Sequence, residues 1–107
     1  MRLLLKIMLP VDTANLAVRK GTLGRVIETI LKDTKAEAAY FGEEEGKRTA
    51  FVIVDIEGLH KLPSVAEPWF LAFNASIQVK PVMTLEDLRR AGPDLEGAAM
   101  KYVSQQC

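Results

Sequence analysis

Two lysines, near opposite ends of the chain, are the first candidates for chemistry. Lys6 lies in the stretch RLLLKIML and Lys80 lies in ASIQVKPV. Both stretches alternate in hydrophobicity and predict strands, each with its lysine on the more polar side. If the two strands are neighbours, two ammonium groups on one sheet face favour an anion such as a carboxylate or a phosphate. The alternative is that these lysines extend to the rim of the sheet or pair with Asp55 or Glu37.

The stretch EPWFLAFNA places three aromatic residues within five positions: Trp69, Phe70 and Phe73. Aromatic residues at helical spacing usually pack between a helix and a sheet, and we expect this of Phe70 and Phe73. For Trp69 two alternatives stay open. It packs in the core, or it lies at the mouth of a pocket, where Asn74 is a polar contact and Tyr40 a proton donor for an aromatic or apolar ligand.

His60 is the only histidine, and the single cysteine, Cys107, is the last residue. A metal site needs several ligands at matched spacing, so the sequence predicts no metal site and no cofactor. A lone histidine could still be a haem ligand or a general base. However, His60 falls in a predicted outer helical segment, and we expect a surface residue without a catalytic role. The sequence contains no nucleophile elbow, dinucleotide fingerprint or phosphate loop.

Composition sets the class of protein. The 107 residues predict a single domain spanning 1–107, and 14 basic residues balance 14 acidic ones, which argues against a nucleic-acid partner. One cysteine allows no internal disulfide, so we expect a reducing cytoplasmic compartment. No apolar run approaches the roughly 18 residues that span a bilayer, and no membrane association is expected.

Hydrophobic periodicity predicts four strands and two main helical regions, followed by a C-terminal extension. In chain order these are a strand at 2–9, a helix at 12–33, a strand at 35–43, a strand at 49–56, a helical region at 58–73 broken at Pro63 and Pro68, a strand at 75–82, and short helices over 84–104. Gly21 and Gly24 inside the first helix indicate either a bend or close packing. The acidic run 43–45 is expected to be a solvated loop tip before a turn at Gly46. Thr84 and Asp87 form a capping box.

This order of elements is the split β-α-β arrangement, which predicts an α+β, ferredoxin-like βαββαβ sandwich with core 1–83 and C-terminal helices 84–104. The second and fourth strands are then the sheet edges, and both helices cover one face. The other face would carry a mixed set of apolar and polar residues: Leu4, Lys6, Met8, Phe51, Ile53, Ser76, Gln78 and Lys80. An apolar patch of this kind is unfavourable in water, so we expect a second copy to cover it, sheet against sheet, in a twofold homodimer.

Several stretches resemble the dimeric α/β-barrel superfamily of small ferredoxin-like proteins, and within it a small group of uncharacterised bacterial hypothetical proteins. They cover most of residues 20–92 and read KGTLGRVIETIL, KAEAAYF, GKRTAFVIVD, AEPWFLAFNA and VKPVMTLEDLRRAG. The resemblance implies a dimeric barrel. It does not choose an activity, because the superfamily includes muconolactone-isomerase-like enzymes, cofactor-independent monooxygenases, haem-binding relatives and stress-responsive proteins.

Two functional hypotheses follow. The first is a non-enzymatic homodimer that binds a small anionic or aromatic ligand between its sheets. The second is a cofactor-independent isomerase or monooxygenase acting on a small cyclic metabolite, with acid–base work by Lys6, Tyr40 or His60. The candidate ligand-pocket residues are Lys6, Met8, Tyr40, Phe51, Trp69, Asn74, Gln78 and Lys80.

Overall fold

A four-stranded antiparallel sheet forms the centre of the molecule, and the computed structural model describes residues 1–103 around it. In chain order the elements are β1 (Arg2–Met8), α1 (Val11–Lys20), α2 (Leu23–Asp33), β2 (Ala38–Glu44), β3 (Lys47–Asp55), a single 3₁₀ turn (Leu59–Lys61), α3 (Leu62–Phe73), β4 (Ser76–Pro81), α4 (Leu85–Arg90) and α5 (Gly92–Tyr102). Cys107 and the predicted helix end at Ser104 lie outside the described residues.

The strand order is β2-β3-β1-β4, and every neighbouring pair is antiparallel. Together with the chain order this is the ferredoxin-like arrangement, so the predicted fold class is confirmed. The second and fourth strands are the edges, as predicted. Every crossover helix of the βαβ units lies on the same side, which leaves the two faces of the sheet in different surroundings.

The hydrophobic core lies between the sheet and the helices. Leu3, Leu5 and Ile7 of β1 are at most 1% exposed, and register pairs Leu3 with Val54 and Leu5 with Val52 on β3. Alternate residues of a strand point to opposite faces, so this set defines the helix-covered face. Burying side chains of this size contributes about 1.5–3 kcal/mol each, which makes the helix-covered face the main source of stability.

The prediction of one helix over 12–33 is wrong, because the helix ends at Gly21 and restarts at Leu23. Gly21 has φ 71°, the left-handed region, and its N–H donates to the Val18 carbonyl at 3.0 Å. A residue in this conformation closes a helix, and glycine adopts it without a steric penalty. A Cβ added at Gly24 would meet nothing within 4 Å, so the close-packing alternative is also wrong.

The hairpin between β2 and β3 is tighter than predicted. Glu45 and Gly46 have φ of 55° and 78°, the two positive values of a type I′ turn, and the Gly46 N–H donates to the Glu43 carboxylate at 2.7 Å. A two-residue turn leaves Glu43 and Glu44 inside β2. The predicted loop tip at 43–45 is therefore wrong for two of its three residues.

Helix α3 runs without a break past Pro68, which corrects the predicted interruption there. Pro68 removes one backbone hydrogen bond, and the buried face of the helix, which includes Val65, Trp69 and Phe73, holds it on the sheet. Pro63 lies in the first turn, where the missing N–H costs nothing. The helix ends at Asn74, whose φ is 54°.

Residues 84–103, the C-terminal arm, extend away from the body. Neither α4 nor α5 contains a buried residue. The radius of gyration is 18.3 Å, against about 13 Å for a compact domain of this length, and the longest dimension is 62 Å. The predicted capping box is confirmed: the Thr84 Oγ1 accepts from the Asp87 N–H at 3.1 Å, and the Asp87 carboxylate accepts from the Thr84 N–H at 3.1 Å.

Over residues 1–103, none of the helices combines the length and apolarity needed to cross a membrane.

Candidate functional site

The sheet face opposite the helices, the open face, brings six of the eight candidate residues together. Register places Tyr40, Phe51, Lys6 and Gln78 directly opposite one another, in one row across all four strands. Lys80 lies in the row on one side of it, beside Leu4 and Ile53, and Met8 lies in the row on the other side. Rows two residues apart on a strand are about 7 Å apart, so the six side chains share one small area.

The centre of the open face is apolar. Leu4, Met8, Phe51 and Ile53 are each half-buried in the single chain, and Tyr40 on the edge strand is 69% exposed. Polar side chains flank this centre along β4, where Ser76, Gln78 and Lys80 are all exposed. The open face is therefore an apolar centre with a polar margin, which is the composition of surfaces that become buried in protein interfaces.

Lys6 is already paired. Its Nζ donates to the Glu44 carboxylate, and the Lys6 side chain is only 17% exposed. Glu44 was missed because the acidic run was interpreted as a loop, although Ala38, Tyr40 and Gly42 alternate on the same side and continue to Glu44. The pair compensates the charge of Lys6.

Among residues 1–103, no carboxylate lies within ion-pair distance of Lys80. The two predicted lysines therefore differ, because the charge of Lys6 is compensated by Glu44 and that of Lys80 is not. Of the two, Lys80 is the one that can bind an added anion.

A second charged cluster lies at the end of the open face. Arg2 donates from Nε and Nη2 to the two oxygens of Glu37 at 2.7 and 2.9 Å, and its Nη2 lies 3.7 Å from Asp55. The hydrogen bonds from Arg2 lower the pKa of Glu37 and, reciprocally, raise the pKa of Arg2. The N-terminal ammonium group of Met1 also donates to Asp55, at 3.0 Å. Glu37 and Asp55, the alternative partners considered for the lysines, are thus occupied by Arg2 and the N-terminus.

Trp69 and Asn74 lie on the other side of the sheet from the six residues of the open face. Trp69 is 1% exposed, and its ring centroid lies 6.4 Å from that of Phe73 at an interplanar angle of 31°. It therefore faces the core. Phe73 is buried as expected, whereas the prediction for Phe70 is wrong, because Phe70 is 38% exposed. One helical residue corresponds to about 100°, which turns Phe70 away from the face that Trp69 and Phe73 share.

His60 is a surface residue, as expected. Its side chain is 70% exposed, and its Nε2 lies 3.9 Å from the carboxylate of Glu57, which is itself 80% exposed. Within the described range, no three His, Cys, Asp or Glu side chains are grouped so that they could hold a metal ion. Neither His60 nor Glu57 faces the centre of the sheet, so neither residue belongs to the candidate site.

Two of the depressions that border the sheet lie near the open face or the edge strand β2. One, of about 450 Å³, opens at the end of the open face, where Met8 and Ser76 meet Asn15. The other, which we call the edge groove, has a volume of about 440 Å³ and lies between α2 and the edge strand β2, on the helix-covered side. Its lining is mostly apolar and includes Leu23, Ile27, Leu31 and Phe41. The first depression adjoins the open face through Met8 and Ser76, and the second is separated from that face by β2.

Comparison with known proteins adds little to this geometry. No protein family matches the chain, and no curated protein matches it either. Among solved structures the chain is similar to the de novo designed protein Ferredog-Diesel, with a TM-score of 0.45 and 12% sequence identity, over 76% of this chain and 85% of that one. The ferredoxin-like assignment depends on the strand order and chain order described above.

Proposed function

We propose that this protein is a homodimer that holds a small organic anion with an apolar body between its two sheets. The observation that carries the proposal is the open face, where an apolar centre is bordered by Tyr40, Gln78 and Lys80. A face of this kind is unfavourable in water, and a second copy supplies the matching apolar surface.

Topology makes the sheet-to-sheet arrangement geometrically simple. A twofold axis parallel to the strands lays β4 of one chain over β2 of the other, and those two strands then run antiparallel. The centre of each open face meets the centre of the other. At about 25 cal/mol per Å², covering Leu4, Met8, Phe51 and Ile53 in both copies contributes several kcal/mol.

The polar margin indicates the chemical class of the ligand. Each dimer would bring two copies of Lys80, Gln78 and Tyr40 to the border of the enclosed space, and the Lys80 ammonium groups favour a carboxylate, sulfonate or phosphate. The apolar centre favours an aliphatic or aromatic body on that anion. The depression beside Met8 and Ser76 provides a route for entry.

Binding is a better-supported function than catalysis. The alternative enzyme needs Lys6, Tyr40 or His60 as acid or base, but Lys6 is engaged by Glu44 and His60 lies outside the open face. Of the three, this leaves Tyr40 alone on the open face, without a second acid–base candidate to work with it. We therefore propose no reaction. The cytosol remains the proposed compartment, because one cysteine offers no internal disulfide for an oxidising environment to stabilise.

The dimer is tested with Ile53→Glu, which places a carboxylate in the apolar centre. We expect sedimentation velocity to show a dimer for the wild-type protein and a folded monomer for the variant, because a buried unpaired charge is strongly unfavourable. Leu71→Glu is the matched control, since Leu71 is 80% exposed on α3 and outside the open face. A monomeric wild-type protein at micromolar concentration contradicts the proposal.

The ligand site is tested with Lys80→Met and with 8-anilinonaphthalene-1-sulfonate, an aromatic anion, as the probe. We expect the variant to remain dimeric and to bind the probe at least about tenfold more weakly, a difference of about 1.4 kcal/mol. Lys61→Met, a change at an exposed lysine beside α3, is the control. Equal probe affinity in the two variants rules out the role of Lys80. Native mass spectrometry of the wild-type dimer from its own cells then identifies any retained molecule.

A further inference from the structure

The C-terminal arm carries an apolar stripe that nothing in its own chain covers. On α5 and the residue after it, helical spacing aligns Leu95, Ala99, Tyr102 and Val103 on one side. Leu95 is 59%, Tyr102 53% and Val103 64% exposed. A helix in a protein ordinarily gains most of its stability by packing its apolar side, so we expect the stripe on α5 to be covered by another surface.

The edge groove has the chemistry to receive this stripe. Its walls are α2 and the exposed ring of Phe41 on β2, and Glu28 and Arg48 are the charged residues among those that line it. Helix α5 carries Asp94 in its first turn and Lys101 in its last, so each of these charges has a residue of opposite sign in the lining of the groove. This is the helix-in-groove mode of recognition, in which apolar anchors enter a groove with a charged rim.

The arm cannot reach the edge groove of its own chain by a short path. The arm follows β4, whereas the groove lies beside β2, and these strands are the opposite edges of the sheet. Three strand spacings, about 14 Å, separate them, and α2 and α3 cover the helix side in between. In the proposed dimer, by contrast, β4 of one chain lies over β2 of the other, about one sheet spacing or roughly 10 Å away. The arm leaves β4 at the end of the sheet where Pro81 pairs with Leu3, so it would run along the edge of the partner's β2 toward Gly42 and Thr49, which line the groove.

The areas also favour a second copy. The open face measures about 20 by 23 Å, so pairing two of them gives an interface at the low end of the range for specific complexes. The chain exposes 7501 Å², whereas a compact monomer of this mass exposes about 5,900 Å². If this excess of about 1,600 Å² per chain is buried in both copies, the total buried area is within the range of obligate homodimer interfaces.

We infer that the C-terminal arm clasps the second copy, with the apolar stripe of α5 seated in the partner's edge groove. This inference rests on the proposed sheet-to-sheet dimer and adds a separate contact to it. The arm then contributes to dimer affinity without taking part in ligand binding.

The test is a cross-link between two different chains. One chain carries Lys101→Cys and a longer tag, the other carries Glu28→Cys at the edge groove, both carry Cys107→Ser, and the two are co-expressed and treated with a short bis-maleimide. We expect a cross-linked pair that contains one chain of each length. The control partner is Glu67→Cys. Glu67 lines a smaller groove, of about 340 Å³, between α3 and β4, which is the nearer groove for an arm that folds back on its own chain.

Each outcome decides the inference. A cross-link with Glu28→Cys that exceeds the one with Glu67→Cys, and that disappears when Leu95→Glu is added to the arm, supports the clasp. Leu95→Glu should also weaken the dimer at least about tenfold, as expected for an apolar anchor. Equal cross-linking with both partners, or an internal link in a chain carrying Lys101→Cys and Glu67→Cys, overturns it. A wild-type dimer without the cross-link refutes only the clasp, whereas a wild-type monomer refutes the dimer as well.

Discussion

Replacing Trp69 with alanine tests whether α3 is packed on the sheet as described. Trp69 is 1% exposed and is the largest side chain in the core. Nearly all of its surface is therefore buried on folding, and the alanine substitution removes that buried surface. About 250 Å² at about 25 cal/mol per Å² gives an upper value near 6 kcal/mol. A compact unfolded state reduces this by roughly 10–40%, and large-to-small core substitutions of this type cost about 3–5 kcal/mol. We expect a loss of about 4 kcal/mol in the free energy of unfolding.

The assay is urea unfolding followed by far-ultraviolet circular dichroism, because the variant lacks the only tryptophan. With a slope of about 2 kcal/mol per molar urea, the midpoint should fall by about 2 M. Both proteins must be compared at one concentration, since dimer formation would be linked to folding.

Phe70→Ala is the matched control for Trp69→Ala. It removes the neighbouring aromatic side chain, which is 38% exposed, so its effect should be well under half that of Trp69→Ala. A larger effect for Phe70→Ala than for Trp69→Ala would falsify the orientation of α3, because a rotation of about 100° exchanges the two positions.

The remaining predictions concern charge and backbone conformation. Because the hydrogen bonds from Arg2 lower the pKa of Glu37 in the folded protein, Glu37 stabilises the fold above its unfolded pKa of about 4.3, and this contribution is lost as the pH falls through the lowered folded value. Urea midpoints of the wild-type protein and Glu37→Gln should therefore differ at pH 7 and converge in acid. Gly46→Ala should cost about 1–2 kcal/mol, because Gly46 has φ 78°, whereas Gly42→Ala, with open space for a Cβ, should change stability by less than about 0.5 kcal/mol.

Two results would contradict these expectations. A difference between the wild-type protein and Glu37→Gln that persists unchanged in acid means that the carboxylate charge is not responsible for it. Equal costs for Gly46→Ala and Gly42→Ala mean that the turn does not require the left-handed conformation at Gly46.

The sequence was sufficient for the architecture because strand alternation reports faces directly. In β1 the alternation separates Leu3, Leu5 and Ile7 from Leu4 and Lys6, and the order of elements then determines which strands are neighbours. The open face follows from that information alone, whereas its rows depend on the register that pairs Lys6 with Phe51 and Gln78. The apolar and charged residues of the open face could be placed on one side of the sheet without coordinates.

Other features depend on interactions that periodicity does not report. The end of α1 depends on the left-handed conformation of Gly21, which the sequence permits but does not require. The pairing of Lys6 with Glu44 depends on a two-residue turn, which extends β2 by one position. The exposure of Phe70 depends on the rotation of α3 about its own axis. In each case a shift of one residue or of one helical step decides the contact.

The location of the uncovered apolar residues is a stronger argument for assembly than their number. Hydrophobic residues make up 49% of the chain, an ordinary share, yet one core serves only the helix-covered face. The open face, the edge groove and the stripe on α5 are left without partners from the described residues of their own chain. If a second copy covers them, the free energy of unfolding includes association, and the urea midpoint must rise with protein concentration. A midpoint that stays constant over a hundredfold range of concentration would show that these surfaces are stable in water, and the dimer and the clasp would both be wrong.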